Sequence, residues 1–182
     1  MAQAWETLSS RSLFDLPLFR VRQDRCRSPR TGAAYEFLVL ETQDWVNVVA
    51  LTPEQEVVMV RQFRAGSGQV TLEIPGGVVD PGETPQVAAA RELREETGYC
   101  ASEWIDLGSI HPNPAILSNR CHTFLARGCV LAGAPALEER EDISVELLPL
   151  GEVPRRLAAG EISHALVAVA FQKLELWRQG LL

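Results

Sequence analysis

Residues 76–99 read GGVVDPGETPQVAAARELREETGY, which combines a glycine-rich turn with the start and stop signals of one helix. Thr84 is a residue type that caps helix N-termini, and Pro85 follows it at the position where proline is best tolerated. Gly98 stands where the C-terminus of a helix favours glycine. The stretch therefore predicts a loop that leads directly into a helix ending just before Gly98.

Three glutamates share one face of this predicted helix. Glu92, Glu95 and Glu96 are spaced i, i+3 and i+4, so their carboxylates are neighbours and repel one another. Clustered carboxylate oxygens suit Mg²⁺ or Mn²⁺, which would remove the repulsion. On spacing alone two interpretations stay open. The face is either a divalent metal site that a backbone carbonyl of the adjacent Gly76-Gly77 loop could join, or an acidic surface in contact with water.

The net charge of the chain lies in two short segments. The 182 residues include 17 Lys and Arg against 24 Asp and Glu, a formal charge of −7. Residues 77–99 carry five acids and two bases, residues 138–146 carry five acids and one base, and the remainder is neutral. A chain without a broad basic surface is not expected to bind nucleic acid. The two acidic segments need a source of positive charge if the fold brings them together.

The opening stretch closely resembles the Nudix box, G-x5-E-x7-R-E-U-x-E-E-x-G-U, in which U is a bulky apolar residue. Every fixed position is matched, by Gly77, Glu83, Arg91, Glu92, Leu93, Glu95, Glu96, Gly98 and Tyr99. So many fixed positions within 23 residues make the pattern highly specific. The resemblance implies that Glu83 and Arg91 orient the junction of loop and helix beside Gly77.

A metal-dependent hydrolase is what the resemblance implies. Glu92 and Glu96 would bind Mg²⁺ directly together with the carbonyl of Gly76, and Glu95 would bind it directly or through water. We expect Mg²⁺, with Mn²⁺ as a possible substitute, and about two to three ions per site.

Three further motifs resemble the ADP-ribose pyrophosphatase subgroup of Nudix hydrolases. Pro114 lies 15 residues after Tyr99, as a subgroup marker does. Residues 61–64 read RQFR and residues 72–77 read LEIPGG, similar to a strand and a lead-in of the subgroup. Residues 139–143, EREDI, resemble its catalytic loop.

That last resemblance gives the second acidic segment a function. Pyrophosphate hydrolysis requires that a water lose a proton beside a phosphorus crowded with negative oxygens, and a loop carboxylate can take that proton. By resemblance Glu139 is the candidate base and Glu141 reaches the metal site, although the two could be exchanged because a loop alignment slips easily. Glu95 is a further candidate for a catalytic role.

Five residues are candidates for substrate binding. Arg64 matches the subgroup's arginine for phosphate or nucleotide, and Arg61 and Glu73 belong to the same motifs. Trp45 could stack on a base or a sugar, although a tryptophan at the start of a strand is more often part of a core. Ser118 could line the sugar-phosphate side.

The wider pattern predicts an α+β fold. Strands are expected over residues 19–25, 34–40, 45–51, 56–62, 71–74, 104–111, 121–126 and 146–150, and helices over 85–97, 154–159 and 163–179. The resemblance implies a Nudix α/β/α sandwich with a mixed sheet over residues 43–182. Residues 1–42 would form a small β subdomain for dimerisation, a hairpin preceded by a surface arm over residues 1–16.

We therefore predict Mg²⁺-dependent cleavage of ADP-ribose or a related nucleoside diphosphate sugar, giving a nucleoside monophosphate and a sugar phosphate. GDP-mannose or a broad range of nucleotide sugars is the nearest alternative. A non-catalytic ADP-ribose sensor is disfavoured because all box acids are present, and a hydrolase of oxidised triphosphates because of the long N-terminal segment. Four scattered cysteines, no secretory signal and no apolar run of membrane-spanning length predict a cytoplasmic protein without a membrane partner. The resemblance to the subgroup implies a homodimer.

Overall fold

The computed structural model describes residues 2–137, 139 and 141–182. The chain divides into two compact units, each considered by itself below. The first comprises the residues up to Gln43 together with His111–Arg120, and the second comprises Asp44–Ile110 together with Cys121–Leu182. Within the described residues, no helix has the length and apolar character needed to cross a membrane.

The first unit contains an antiparallel sheet of β1 (Glu6–Asp15), β2 (Arg20–Arg27) and β3 (Ala34–Glu41). The predicted hairpin is confirmed as β2 and β3. The segment over residues 1–16, expected as a surface arm, contains a strand that was not predicted: most of it forms β1, which is largely exposed and pairs with β2 along its length.

Strand β1 was not predicted from the sequence because polar side-chain bonds to β2, rather than a buried apolar face, hold it in the sheet. Both of its faces are largely exposed, so its sequence, ETLSSRSLFD, shows no alternation of apolar and polar residues. Its side chains bond to β2 instead. Arg27 donates to Glu6 at 2.9 Å, and Nε of Arg11 donates to Oε1 of Gln23 at 2.7 Å.

A mixed sheet forms the middle layer of the second unit. Its members are β4 (Trp45–Leu51), β5 (Glu56–Arg64), β6 (Gln69–Glu73), β7 (Gly76–Val78), β9 (Glu103–Ile110), β10 (Cys121–Arg127) and β12 (Ile143–Pro149). Strands β4 and β10 are parallel, and the other neighbours are antiparallel. Two short strands, β8 (Tyr99–Cys100) and β11 (Val130–Leu131), pair separately.

Helix α1 (Pro85–Thr97) begins and ends where its sequence predicts. Oγ1 of Thr84 accepts the N–H of Val87 at 3.3 Å. Gly98 adopts a left-handed φ of 76° and returns its N–H to the carbonyl of Arg94 at 2.8 Å. A side chain there would be strained and would meet the backbone of Gly133 at 2.1 Å, so glycine is required twice over.

Two further helices follow β12. A short 3-10 turn (Leu150–Glu152) leads into α2 (Val153–Ala158). Helix α3 (Ala165–Arg178) is the last element in the described part of the chain. Both helices were expected close to these positions.

Alternating residues of the central strands divide the core into two layers. Val48 packs in one cluster with Ala89 and Leu93 of α1, whereas its neighbour Val49 packs in the other with Phe171 of α3. Because successive strand residues point to opposite faces, α1 covers one face of the sheet, and α3 together with the first residue of α2 covers the other. The predicted α+β sandwich with a mixed sheet is confirmed.

Candidate active site

Arg91 ties the glycine-rich loop to helix α1. Its Nε and Nη2 donate to the two carboxylate oxygens of Glu83, both at 3.0 Å, and Nη2 also donates to the carbonyl of Val78 at 2.9 Å. Nη1 donates to Glu92 at 2.8 Å and to Glu95 at 3.1 Å. These bonds, that to Glu83 foremost, hold the pKa of the Arg91 guanidinium well above its ordinary value. The loop–helix junction is therefore organised around one arginine.

Glu96 is a buried carboxylate in a site rich in negative charge. Only 3% of it is exposed, and Oε2 accepts the N–H of Gly76 at 2.9 Å. Burial raises the pKa of Glu96 to about 8, with further contributions from the charges of Glu92 and Glu141. Burial likewise raises the pKa of Glu92. The ionised form of such carboxylates is energetically disfavoured unless a cation lies close to them.

The two glycines before α1 are required by packing. A Cβ on Gly77 would lie 2.3 Å from Oε1 of Glu92, and a Cβ on Gly76 would lie 2.3 Å from the carbonyl oxygen of Val46. Any larger residue at Gly77 would displace the carboxylate of Glu92. The glycine-rich loop thus leaves room for the carboxylate of Glu92 at the place where the loop backbone approaches helix α1.

The second acidic segment approaches α1 as well. Glu141 is half-buried, and its charge contributes to the raised pKa values of both Glu92 and Glu96. The two acidic segments that account for the net charge of the sequence therefore meet in one place.

The chain that leads to this segment is anchored on the helix. Ala136 donates its N–H to the carbonyl of Glu95 at 2.8 Å. Glu139 follows in an exposed turn, whereas Glu138 and Arg140, two members of the acidic segment, lie outside the described residues.

A cavity of about 270 Å³ opens beside the glycine-rich loop. Trp45, Arg64 and Glu73, three of the predicted substrate-binding residues, line it together with Gly77. Arg64 binds Glu73 through two bonds, Nε to Oε1 at 2.9 Å and Nη2 to Oε2 at 2.8 Å. Although burial acts to raise it, bonds from Arg64 and Thr71 hold the pKa of Glu73 below its ordinary value.

The other two predicted substrate-binding residues are not among those that line this cavity. Nε of Arg61 donates to Glu146 of β12 at 2.8 Å, and Arg61 does not line the cavity. Ser118 belongs to the first unit, where its N–H donates to the carbonyl of Leu40 at 3.1 Å.

Two polar residues of the cavity wall, Asn47 and His164, were not predicted as site residues from the sequence. Asn47 is the polar residue of the otherwise apolar strand WVNVVAL, which is a weak signal that the sequence did contain. His164 precedes α3 and carried no comparable signal, because its place beside Asn47 depends on the tertiary fold.

Comparisons with known proteins agree with this geometry. The NUDIX domain matches residues 42–167, which is more than half of the chain. The chain belongs to the Nudix family. An ADP-ribose pyrophosphatase of Mycobacterium tuberculosis is 35% identical over 164 residues, which cover 89% of this chain and 79% of that protein. An ADP-ribose pyrophosphatase of Bacillus subtilis is 35% identical over 146 residues, covering 80% of this chain and 79% of its own length. The predicted resemblance is confirmed.

A solved structure of an ADP compounds hydrolase superposes with a TM-score of 0.87 at 21% identity, covering 99% of this chain and 97% of that one. This likeness confirms the Nudix fold.

Nudix hydrolases generally use divalent metal ions, and the residues present here fit such an ion. Within the described chain no three acidic, histidine or cysteine side chains are gathered closely enough to coordinate one ion. Glu92 is instead turned toward Arg91, and Glu96 toward the N–H of Gly76. The donor set nevertheless suits a hard cation, because carboxylate oxygens are hard ligands and burial raises the pKa values of Glu92 and Glu96. Glu92, Glu96 and Glu141 are the side chains that would hold it.

Proposed function

We propose that this chain is a Mg²⁺-dependent hydrolase of the pyrophosphate bond in ADP-ribose or a related nucleoside diphosphate sugar. The observation that carries the proposal is the convergence of Glu92, Glu96 and Glu141 beside the Gly76-Gly77 loop, within a family whose relatives include ADP-ribose pyrophosphatases. Buried carboxylates of this kind gain from a divalent cation, and a diphosphate is the substrate group that such a cation attracts.

The reaction requires that a water oxygen form a bond to one phosphorus while the bond from that phosphorus to the bridging oxygen breaks. When bound, divalent ions would acidify the water and neutralise the phosphate oxygens. Glu139 is exposed in a turn and is our candidate for the base that takes the water's proton. Glu141, whose charge acts on Glu92 and Glu96, is assigned to the metal. The products are a nucleoside monophosphate and a sugar phosphate.

Two residues of the cavity, Arg64 and Trp45, are assigned to the substrate, and Glu73 is assigned to the positioning of Arg64. Arg64 carries the positive charge suited to a phosphate, and its bonds to Glu73 fix its direction. Trp45 offers a flat apolar surface to a sugar or base. Arg61 and Ser118 stay predictions, and we assign them no contact.

A panel of nucleotide sugars tests the proposal. ADP-ribose, ADP-glucose, GDP-mannose and UDP-glucose are incubated with the chain and Mg²⁺, and released phosphomonoester is measured with and without EDTA. We expect release from ADP-ribose that EDTA abolishes and that Glu96→Gln lowers by at least about a hundredfold. Glu175→Gln, an exposed change on α3, is the control and should keep full activity. Faster release from GDP-mannose would make GDP-mannose the preferred substrate in place of ADP-ribose. Release that persists in EDTA would refute the proposed metal dependence.

The first unit is assigned to a homodimer interface. Phe14, Tyr35, Phe37 and Leu38 are all exposed large apolar residues on its strands, and exposed apolar surface of this kind is typical of an interface. Light scattering should report a dimer that Leu38→Glu weakens, whereas Val130→Glu, an exposed apolar position in the second unit, should not. A monomeric wild type would refute the assignment.

All four cysteines are free, which is in keeping with a cytoplasmic location.

A further inference from the structure

Arg64 is held at the cavity by a buried carboxylate. Glu73 is only 3% exposed, whereas 41% of the Arg64 side chain remains accessible. Glu73 contacts the edge of the guanidinium formed by Nε and Nη2, and no other group in the described part of the chain bonds that guanidinium. The opposite edge, formed by Nη1 and Nη2, therefore keeps N–H donors that suit a phosphate.

Thr71 adds a third bond to the same carboxylate. Thr71 and Glu73 lie two residues apart on β6, so their side chains point to the same face of the sheet. Oγ1 of Thr71 lies 2.6 Å from Oε1 of Glu73 and 3.3 Å from the carbonyl oxygen of Gln62. A hydroxyl has one proton to donate, and the shorter bond to an ionised acceptor is the stronger one. The hydroxyl of Thr71 therefore donates to Glu73.

Neither the strand nor the core requires a hydroxyl at this position. Thr71 is 8% exposed, and valine would occupy a similar space and favour a strand equally well. Arg64 alone already supplies a bond to each oxygen of Glu73. The additional bond from Thr71 restricts the rotation of the carboxylate and, through the paired bonds, the rotation of the guanidinium.

The charge of Arg64 also acts on the carboxylate cluster. Burial raises the pKa of Glu96, and the charge of Arg64 opposes that effect. Arg64 therefore acts electrostatically on a carboxylate that would hold the cation. For this reason the orientation of its guanidinium matters to a diphosphate bound at the same place.

We propose that Thr71 is a positioning residue for phosphate binding, because its hydroxyl orients Glu73 and Glu73 in turn orients Arg64. Thr71 itself does not line the cavity. The inference rests on the proposed function, in which Arg64 binds a phosphate of the substrate. It goes further by adding a residue that acts through two others.

Binding of inorganic pyrophosphate, measured by calorimetry with Mg²⁺, tests this arrangement without requiring hydrolysis. Thr71→Val removes the hydroxyl and should weaken pyrophosphate binding by about threefold to tenfold, because one long side chain must then be ordered on binding. Thr71→Ser retains the hydroxyl and should stay within about twofold of the wild type. The control is Thr123→Val, which removes a hydroxyl that is 1% exposed on β10 and should leave the affinity unchanged.

A residue that acts through Arg64 loses its effect once Arg64 is replaced. Thr71→Val is therefore also made together with Arg64→Gln, where it should change the affinity by less than about 1.5-fold. An equal loss in both backgrounds, a Thr71→Val variant that binds like the wild type, or a Thr71→Ser variant as weak as Thr71→Val overturns the proposal. Should Thr71→Val fail to fold, Thr71→Ala takes its place, and should binding to Arg64→Gln be too weak to measure, the comparison of valine with serine decides.

The proposed function and this inference can fail separately. A chain that binds pyrophosphate but hydrolyses none of the nucleotide sugars would contradict the proposed function and still allow the positioning role to be measured. A wild type that binds no pyrophosphate would overturn the assignment of Arg64 to phosphate, and the role of Thr71 with it.

Discussion

Replacing Glu96 with glutamine removes a buried charge without removing volume or the acceptor for the N–H of Gly76. Burial raises the pKa of Glu96 from its ordinary value of 4.5 to about 8. At about 1.4 kcal/mol per pKa unit, ionised Glu96 lowers the free energy of unfolding of the metal-free chain by on the order of 5 kcal/mol. Glutamine carries no charge at any pH and escapes this penalty.

The sign of the effect follows from linkage. The unfolded chain releases the proton of Glu96 near its ordinary pKa, whereas the folded chain retains it until about pH 8. Stability is therefore fully present below the unfolded value and declines as the pH rises from 4.5 to about 8, after which this residue adds no further change. A divalent cation bound to the carboxylates would reverse the loss, because it favours the ionised form.

Urea denaturation in EDTA, repeated from about pH 5 to about pH 9, measures this difference. We expect Glu96→Gln to be more stable than the wild type near pH 8.5 by several kcal/mol and similar to it near pH 5. Added Mg²⁺ should stabilise the wild type and leave the variant almost unchanged. Glu95→Gln is the control, because its side chain is 43% exposed and should change stability by less than about 1 kcal/mol. A variant no more stable than the wild type in EDTA near pH 8.5 would refute the reasoning.

Four further variants test other parts of the site. Arg91→Lys cannot reproduce the paired bonds to a carboxylate and should lower the free energy of unfolding by about 1–3 kcal/mol, measured by urea denaturation. Gly77→Ala should displace Glu92 and weaken Mg²⁺ binding by at least about tenfold in calorimetry, with little change in Tm. Glu141→Gln should raise the Mg²⁺ concentration needed for half-maximal hydrolysis, whereas Glu139→Gln should lower kcat by at least about a hundredfold at saturating Mg²⁺. The reverse pattern would exchange the roles of Glu139 and Glu141, and equal Mg²⁺ dependence in the two variants would refute the assignment.

Helix α1 and its loop could be predicted because their determinants are local. The cap at Thr84, the C-terminal Gly98 and the spacing of the glutamates all lie within one turn or one helix, so the pattern predicts the geometry directly. The sandwich was implied by the resemblance, and the nearly continuous apolar run of β4 fits it, because both faces of that strand are buried.

Strand β1 and the polar residues of the cavity wall could not be predicted in this way, because no local pattern in the sequence determines their contacts. β1 is held by polar pairs to β2, and a polar strand with two exposed faces has no periodic signature. Asn47 and His164 are separated by more than one hundred residues and are brought to one wall because Nδ2 of Asn47 bonds the first turn of α3. No spacing rule within the sequence anticipates that contact.

The two acidic segments that give the chain its charge of −7 also need long-range contacts for their explanation. Each acidic segment alone has an ordinary explanation as a solvated surface, and only their meeting rules it out. Anchoring of Ala136 on the carbonyl of Glu95 carries the second segment to the helix that holds the first, and Glu141 then adds its charge to a site where Glu96 is already buried. A fold selected for stability alone would separate these carboxylates, because each approach raises their pKa values further. Their convergence supports the proposal of a bound cation, and the loss of stability that we predict in EDTA at alkaline pH would measure what the empty site costs the fold.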